Sequence, residues 1–285
     1  MNNTPKTIPD HTAVRVALWR AIHLQLDAYP PVFNDDVGLK LIAPEEGWQK
    51  RGDMHPMGTK GYRASIVGRA RFLEDLVLEE VKKGVDQYVI LGAGLDTFAQ
   101  RHPEVSDKVR IFEIDQPETQ AWKKKRLNET RLDTIGNLQF VPVDFEVGES
   151  WTEKLIQHGF NPNKPAVVAS TGVTMYLTLE ANKETLRQVA QFAKGSTLAM
   201  TYMVPLDLID PEERLGHQMV YEKAKAAGTP FISFFRPEEM TALALQAGFP
   251  NAQHFSRAQI IERYFKGRTD GLEPSKGEEF LVATT

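Results

Sequence analysis

The sequence contains no cysteine among its 285 residues. That excludes a disulfide scaffold, a cysteine-ligated zinc ribbon and thiol catalysis, and it fits a reducing compartment. Long apolar runs are missing as well. No stretch approaches the roughly 18 residues that a membrane-crossing helix needs. The opening MNNTPKTIPD lacks the basic region and apolar run of a secretory leader. No charge of one sign dominates, since 34 Lys and Arg against 38 Asp and Glu leave a net charge of −4. Such a balance offers no basic surface for nucleic acid or an acidic membrane. The histidines, His11, His23, His55, His102, His158, His217 and His254, are scattered without metal or triad spacing. Internal repeats, low-complexity tracts and Gly/Ser linkers are also lacking. What is left is 41% hydrophobic and 25% charged, the balance of an ordinary globular protein. The expectation is a cytoplasmic protein with no metal, nucleic-acid or membrane partner.

From about residue 61 onward two kinds of segment alternate. QYVILG (87–92), VRIFEID (109–115), LQFVPVD (138–144), PAVVAST (165–171) and STLAMTYMV (196–204) are short, apolar and β-branched, the pattern of buried strands. Helical stretches lie between them, around 61–83, 117–130, 150–159 and 178–194. This alternation predicts an α/β fold with a parallel, doubly wound sheet covered on both faces. A helix near FRPEEMTALALQAGF (235–249) and a last strand at FLVAT (280–284) complete it. Residues 1–60 break the rhythm. AVRVALWRAIHLQL (13–26) is amphipathic and helical, and the remainder is loop-rich, so the segment reads as a lid on the ligand-binding edge or as a helical extension that only covers core. Residues 205–235 read as an insertion after the fifth strand.

The stretch VILGAGLDTFAQR (89–101) runs from a strand into Gly92-Ala93-Gly94 and then into a helix start. In an open α/β sheet ligands bind beyond the carboxyl ends of the strands, and glycine permits positive φ and close backbone approach there. A Walker loop would need Gly-Lys-Ser/Thr after four intervening residues, and no such lysine follows. A dinucleotide fingerprint needs a third glycine three positions after Gly94, where Thr97 stands. Asp96 also places a carboxylate where a pyrophosphate would approach. The turn therefore suits a ligand without phosphate, or is merely a tight turn.

Asp115 ends the second strand, 21 positions after Gly94, near the spacing at which an acid accepts hydrogen bonds from ribose hydroxyls. It would alternatively cap the helix opening at Pro117. At the end of the third strand, Asp144 could accept from an adenine amine while Phe145 covers the ring. Arg69 stands out on the helix 61–83. At about 100° per residue, Ile66, Ala70, Leu73, Leu76, Val77 and Val81 form one apolar stripe. Arg69 falls inside that arc and Arg71 outside it. A buried arginine needs an anion: the carboxylate of a bound amino acid, or one belonging to the chain. A nucleoside bearing an amino acid, such as S-adenosylmethionine, meets all these demands.

Together GRARFLEDLV, LGAGLDTFAQR, FEIDQP, VDFE and MYL resemble the leucine carboxyl methyltransferase-like family of S-adenosylmethionine-dependent methyltransferases, whose bacterial branch includes polyketide O-methyltransferases. The resemblance covers nearly the whole chain. It implies a class I methyltransferase Rossmann-like sheet, mostly parallel with an antiparallel last strand, beneath an N-terminal helical lid. It also implies that Arg69 holds the methionine carboxylate, that Gly92, Ala93, Gly94, Asp115, Gln116, Asp144 and Phe145 bind the cofactor, and that Tyr176 faces the transfer site. The family often has Glu-Gly before MYL, whereas this chain has Thr171-Gly172, which puts Thr171 in the place of a cofactor-contacting glutamate. Arg15 or Arg20 on the first helix would meet a substrate carboxylate. The expected activity is O-methylation of a small molecule, with a carboxylate favoured over a hydroxyl because it needs no base. Methylation of a protein C-terminus and a nicotinamide-dependent oxidoreductase are the competing readings.

Overall fold

Short β-branched runs and longer amphipathic stretches build a layered α/β structure in the computed structural model, which describes residues 11–105, 107–132, 136–144 and 148–285. The N-terminal half contains α1 (His11–Leu26), α2 (Val37–Ile42), α3 (Lys60–Lys82), β1 (Gln87–Leu91), α4 (Phe98–Arg101), β2 (Arg110–Asp115), α5 (Pro117–Thr130) and β3 (Leu138–Pro142). After it come α6 (Trp151–Gln157), β4 (Val167–Ser170), α7 (Leu179–Ala190), β5 (Thr197–Met203), α8 (Pro211–Ala226), α9 (Pro237–Ala247), β6 (Asn251–Phe255), α10 (Arg257–Tyr264) and β7 (Glu278–Thr284). Among the described residues no helix is long and apolar enough to cross a membrane.

The strands form one sheet in the order β3-β2-β1-β4-β5-β7-β6. β1 to β5 are mutually parallel, and β7 enters antiparallel between β5 and β6. The order reverses at β1, whose neighbours are β2 and β4. Leu91 pairs with Ile114 on one side and Ser170 on the other. The carboxyl ends of these three strands are therefore level, and the crevice beyond them is where such a sheet binds ligands.

Both sheet faces are covered, as the unbroken apolar strands require. On one face Val89, Leu91, Phe112, Ile114, Val168 and Leu198 pack against Trp151 and Leu155 of α6, Leu186 and Val189 of α7, and Met240 and Ala244 of α9. On the other, Tyr88, Ile90, Ile111 and Ala169 meet Leu73 and Val77 of α3 and Phe98 and Ala99 of α4. The anticipated strands and helices are present, and the last strand is antiparallel. The sequence reading did not anticipate β6 and α10. Asn251–Phe255 is a half-exposed edge strand with little apolar content, so it shows neither the alternation nor the apolar run that identifies a strand.

The segment before α3 is tied to the sheet by one buried carboxylate. Asp35, 1% exposed, lies 3.2 Å from Arg20 Nε of α1 and 3.9 Å from Arg101 Nε of α4. It accepts from the Thr97 hydroxyl at 2.8 Å and from the Val37 N–H at 3.0 Å. Arg20 also donates to the Leu95 carbonyl at 2.6 Å. Burial alone would raise the Asp35 carboxyl, but Arg20 and Arg101 outweigh it and hold it below its ordinary value of 3.8. Replacing Asp35 by Ala leaves the buried Arg20 guanidinium without its carboxylate, and urea titration at pH 7 is expected to show a loss of about 3–5 kcal/mol. Because the folded carboxyl is the stronger acid, this contribution is present above pH 3.8 and fades as pH falls below it. The difference between Asp35→Ala and the parent should shrink in the same direction.

Candidate active site

Beyond β1, β2 and β4 lies a cleft of about 290 Å³. Its floor is the turn after β1. Gly92 and Gly94 take φ of +66° and +50°, the left-handed region where glycine is cheapest. Space demands glycine as well. A Cβ on Gly92 would lie 2.5 Å from Val173 Cγ2, and one on Gly94 would lie 3.3 Å from Ala13 Cβ of α1.

Asp115 closes one end of the cleft. Its Oδ2 accepts from the Gly94 N–H at 2.5 Å and its Oδ1 from the Gln116 N–H at 2.7 Å. The carboxylate is thus oriented at the strand end by the turn itself. Asp96 accepts from the N–H of Phe98, the first residue of α4, at 2.8 Å. Behind the turn Lys123 of α5 donates to the Asp96 carbonyl at 2.6 Å and to Glu113 Oε2 at 2.5 Å. Lys123 and Glu113 are each 1% exposed. Burial pushes the Glu113 carboxyl up to about 7; the Lys123 ammonium opposes this, and the charge of Asp96 adds to it.

Arg69 faces the cleft from α3, and the chain supplies its anion: Nη1 donates to Glu278 Oε1 of β7 at 2.6 Å. The guanidinium lies against Gly172, whose φ is +71° and where a Cβ would stand 2.9 Å from Arg69 Nη2. The positive φ favours glycine after Thr171, and the missing side chain leaves room for the Arg69 guanidinium. Thr171, Gly172 and Val173 line the cleft, as does Tyr176, which ends the short helical turn Thr174–Tyr176.

Of the residues singled out from the sequence, Arg20, Arg69, Gly92, Ala93, Gly94, Asp115, Thr171 and Tyr176 come together around this cleft. Three others sit outside its wall. Gln116 is an exposed helix-capping residue beside Asp115. Asp144, two residues past β3, donates its N–H to Glu149, while the neighbouring Val143 N–H bonds the Asp115 carbonyl at 3.0 Å. Arg15 lies on the flank of α1, with its guanidinium 5.6 Å from the Trp19 ring. Thr12, Val16 and Arg20, one helical turn apart, present a different face to the cleft. Phe145 falls outside the described residues. Arg20 is part of the wall, but the Leu95 carbonyl and Asp35 engage its guanidinium.

Glu74 and Arg101, not singled out by any local pattern, also line the cleft and pair at 2.5 Å. Nor did any local pattern indicate Glu278, 209 positions from Arg69. Only the position of Arg69 inside the apolar stripe of Ile66, Ala70, Leu73, Leu76, Val77 and Val81 pointed toward α3 as a wall. Among the described residues no cluster of His, Asp and Glu could hold a metal.

A family model described as leucine carboxyl methyltransferase matches residues 13–190. YktD of Bacillus subtilis, which carries the name of an S-adenosyl-L-methionine-dependent methyltransferase, is 34% identical over 220 residues, 76% of this chain and 71% of that protein. A Mycolicibacterium smegmatis protein with the same kind of name is 30% identical over 189 residues; the match spans 66% of this chain and 58% of that one. Among solved structures, a DUF574 family protein from Streptomyces avermitilis shares the fold at a TM-score of 0.61 and 13% identity, covering 99% of this chain and all of the other.

The overlap of the Gly92 position with Val173 predicts a specific pattern of stability. Gly92→Ala is expected to lower stability by about 1–3 kcal/mol from positive-φ strain and overpacking. Adding Val173→Ala should recover part of that loss. A thermal-unfolding double-mutant cycle checks this, and strictly additive effects would contradict it.

Proposed function

The chain belongs to the leucine carboxyl methyltransferase family, and we propose that this S-adenosylmethionine-dependent methyltransferase acts on an oxygen of a small molecule, a carboxylate foremost. The observation that carries the reading is the conjunction, in one cleft, of a glycine turn, a turn-held Asp115 and a cleft-facing Arg69.

The donor set fits the cofactor chemically. The positive-φ glycines leave a cradle that side chains would fill. Asp115 would accept from ribose hydroxyls, Arg69 would meet the amino-acid carboxylate, and Thr171 and Val173 would line the space between. Three arginines in the wall, Arg20, Arg69 and Arg101, are matched by three acids, Glu74, Asp96 and Asp115. That balance suits a sulfonium better than a pyrophosphate. When bound, the cofactor supplies a methyl carbon: an acceptor oxygen lone pair forms the new C–O bond as the C–S pair passes to sulfur, leaving S-adenosylhomocysteine.

The remaining work is done by position. A carboxylate acceptor is ionised at neutral pH, since carboxyl groups ordinarily titrate near 4, so no residue has to remove a proton. The chain's part is to align the acceptor and keep out water, which accounts for large rate effects in displacements of this kind. Tyr176 stands at the cleft edge where the acceptor would lie. The α1 residues Thr12, Ala13 and Val16 form the opposite wall.

Calorimetric titration with S-adenosylhomocysteine, NADH and NADPH tests the cofactor class. Binding of S-adenosylhomocysteine alone is expected, and binding of NADH in its place would overturn the reading. Arg69→Ala and Asp115→Ala are each expected to weaken S-adenosylhomocysteine by tenfold or more, about 1.4 kcal/mol per factor of ten. Unchanged affinity in both folded variants would refute their assignment. Methyl transfer to a carboxylate yields an ester that mild alkali cleaves, which separates it from an ether by mass spectrometry.

A further inference from the structure

From Gly92 the cleft continues down the sheet face that α3 and α4 cover, as a lobe lined by Leu73, Glu74, Tyr88, Ile90, Phe98 and Arg101. Cofactor contacts at Asp115, Arg69, Thr171 and Val173 leave this lobe unused. Its charged groups are Glu74 and Arg101. Glu74 stands on α3 five positions after Arg69, about 7.5 Å along the helix axis. Side chains on a helix lean toward its N-terminus, so Glu74 leans back toward Ala70, which also lines the cleft. Because α3 leads directly into β1, its N-terminal end lies at the carboxyl edge of the sheet. The lean therefore carries Glu74 toward the glycine turn.

The carboxylate is gripped from the α4 side. Arg101 Nη2 lies 2.5 Å and His102 Nε2 3.0 Å from Glu74 Oε2. Both closest contacts are made by that one oxygen, and a carboxylate accepts at both, so Oε1 remains for a further donor. Burial alone would raise the Glu74 carboxyl, but His102 and Arg101 outweigh it and hold it below its ordinary value of 4.5. Glu74 is therefore an anion at neutral pH. The amino-acid end of S-adenosylmethionine carries a carboxylate and an ammonium on one carbon, so its site needs a cation and an anion close together. Arg69 supplies the cation. Of the other acids in the wall, Asp115 holds the Gly94 and Gln116 N–H groups at the ribose end, and Asp96 holds the Phe98 N–H. Glu278, the partner of Arg69, lines a separate small pocket behind the guanidinium. Thr171 and Val173 carry no charge.

Resting on the methyl-transfer reading and on Arg69 as partner of the cofactor carboxylate, we propose that Glu74 binds the cofactor's ammonium. One helix then reads both charges of the amino-acid end, Arg69 taking the carboxylate and Glu74 Oε1 accepting from the ammonium. Arg101 and His102 are positioning residues, which fix the carboxylate through Oε2 and keep it ionised. The site thereby selects a nucleoside that carries an amino acid over one that carries only an acid.

The test titrates the whole chain calorimetrically with two ligands. One is S-adenosylhomocysteine, and the other is 5′-S-(3-carboxypropyl)-5′-thioadenosine, the same molecule with hydrogen in place of its amino group. The parent is expected to bind the deamino ligand about tenfold more weakly, the scale of one hydrogen bond between charged groups. The near-isosteric Glu74→Gln should weaken S-adenosylhomocysteine about tenfold and bind the deamino ligand as the parent does, so that discrimination is lost. Asp96→Asn should keep it. If Glu74→Gln does not fold, Glu74→Asp, which keeps the charge but shortens its reach, should narrow the discrimination likewise. A merely structural role for Glu74 would weaken both ligands equally. That result, equal binding of both ligands by the parent, or loss of discrimination in Asp96→Asn instead would overturn the proposal alone. Failure of the parent to bind either ligand would overturn the methyl-transfer reading as well.

Discussion

Asp35 is the point through which the N-terminal helices, the glycine turn and α4 are held as one unit. Its carboxylate takes Arg20 from α1, Arg101 from α4, the Thr97 hydroxyl and the Val37 N–H. Full burial of a charge is tolerable only with such a complement of partners. The consequence for the cleft is direct. Thr97 and Leu95 belong to the segment that follows the glycines, and Arg20 grips the Leu95 carbonyl. The wall formed by α1 and the floor formed by the turn therefore cannot move independently without exposing this carboxylate or stripping it of its cations. Lys123 does the same from the opposite side, through the Asp96 carbonyl.

This arrangement also explains the charge of the cleft. Each arginine in its wall has a carboxylate of the chain beside it: Asp35 for Arg20, Glu278 for Arg69 and Glu74 for Arg101. Such pairing fixes the guanidiniums in place and leaves no surplus positive field to draw in a phosphate. Arg69 remains at the cleft surface with its orientation set by Glu278 and by the absence of a side chain at Gly172. In the proposed reading, an arginine held this way would meet the amino-acid carboxylate of S-adenosylmethionine in a defined direction. The segment after β5 supplies a contrasting surface. Phe231 of that segment meets the Tyr176 ring edge to face.

Most of the scaffold was legible in sequence because its signals are local. Buried parallel strands read as continuous β-branched runs, and Gly92-Ala93-Gly94 after such a run marks a turn that needs positive φ. The Arg69 position on an apolar stripe already demanded an anion. Which anion it has in the folded chain was not legible, because Glu278 is 209 positions away and no local pattern announces it. The polar edge strand Asn251–Phe255 escaped for the opposite reason: a half-exposed strand carries no apolar period. Arg15 and Arg20 looked equivalent along the chain. The rotation of α1 separates them, turning Arg20 toward Asp35 and leaving Arg15 beside Trp19.

Sequence alone therefore carried the class of the sheet, the glycine turn, the acid at the end of β2 and the family to which these motifs point. Each is written in consecutive or helically spaced residues. Folding alone decided the partners of the buried charges, the Thr97–Asp35 contact that stands where a dinucleotide site would have its third glycine, and the placement of Phe231 beside Tyr176. Those features join residues far apart in the chain, and side-chain contacts of that kind exist only once the layers have packed.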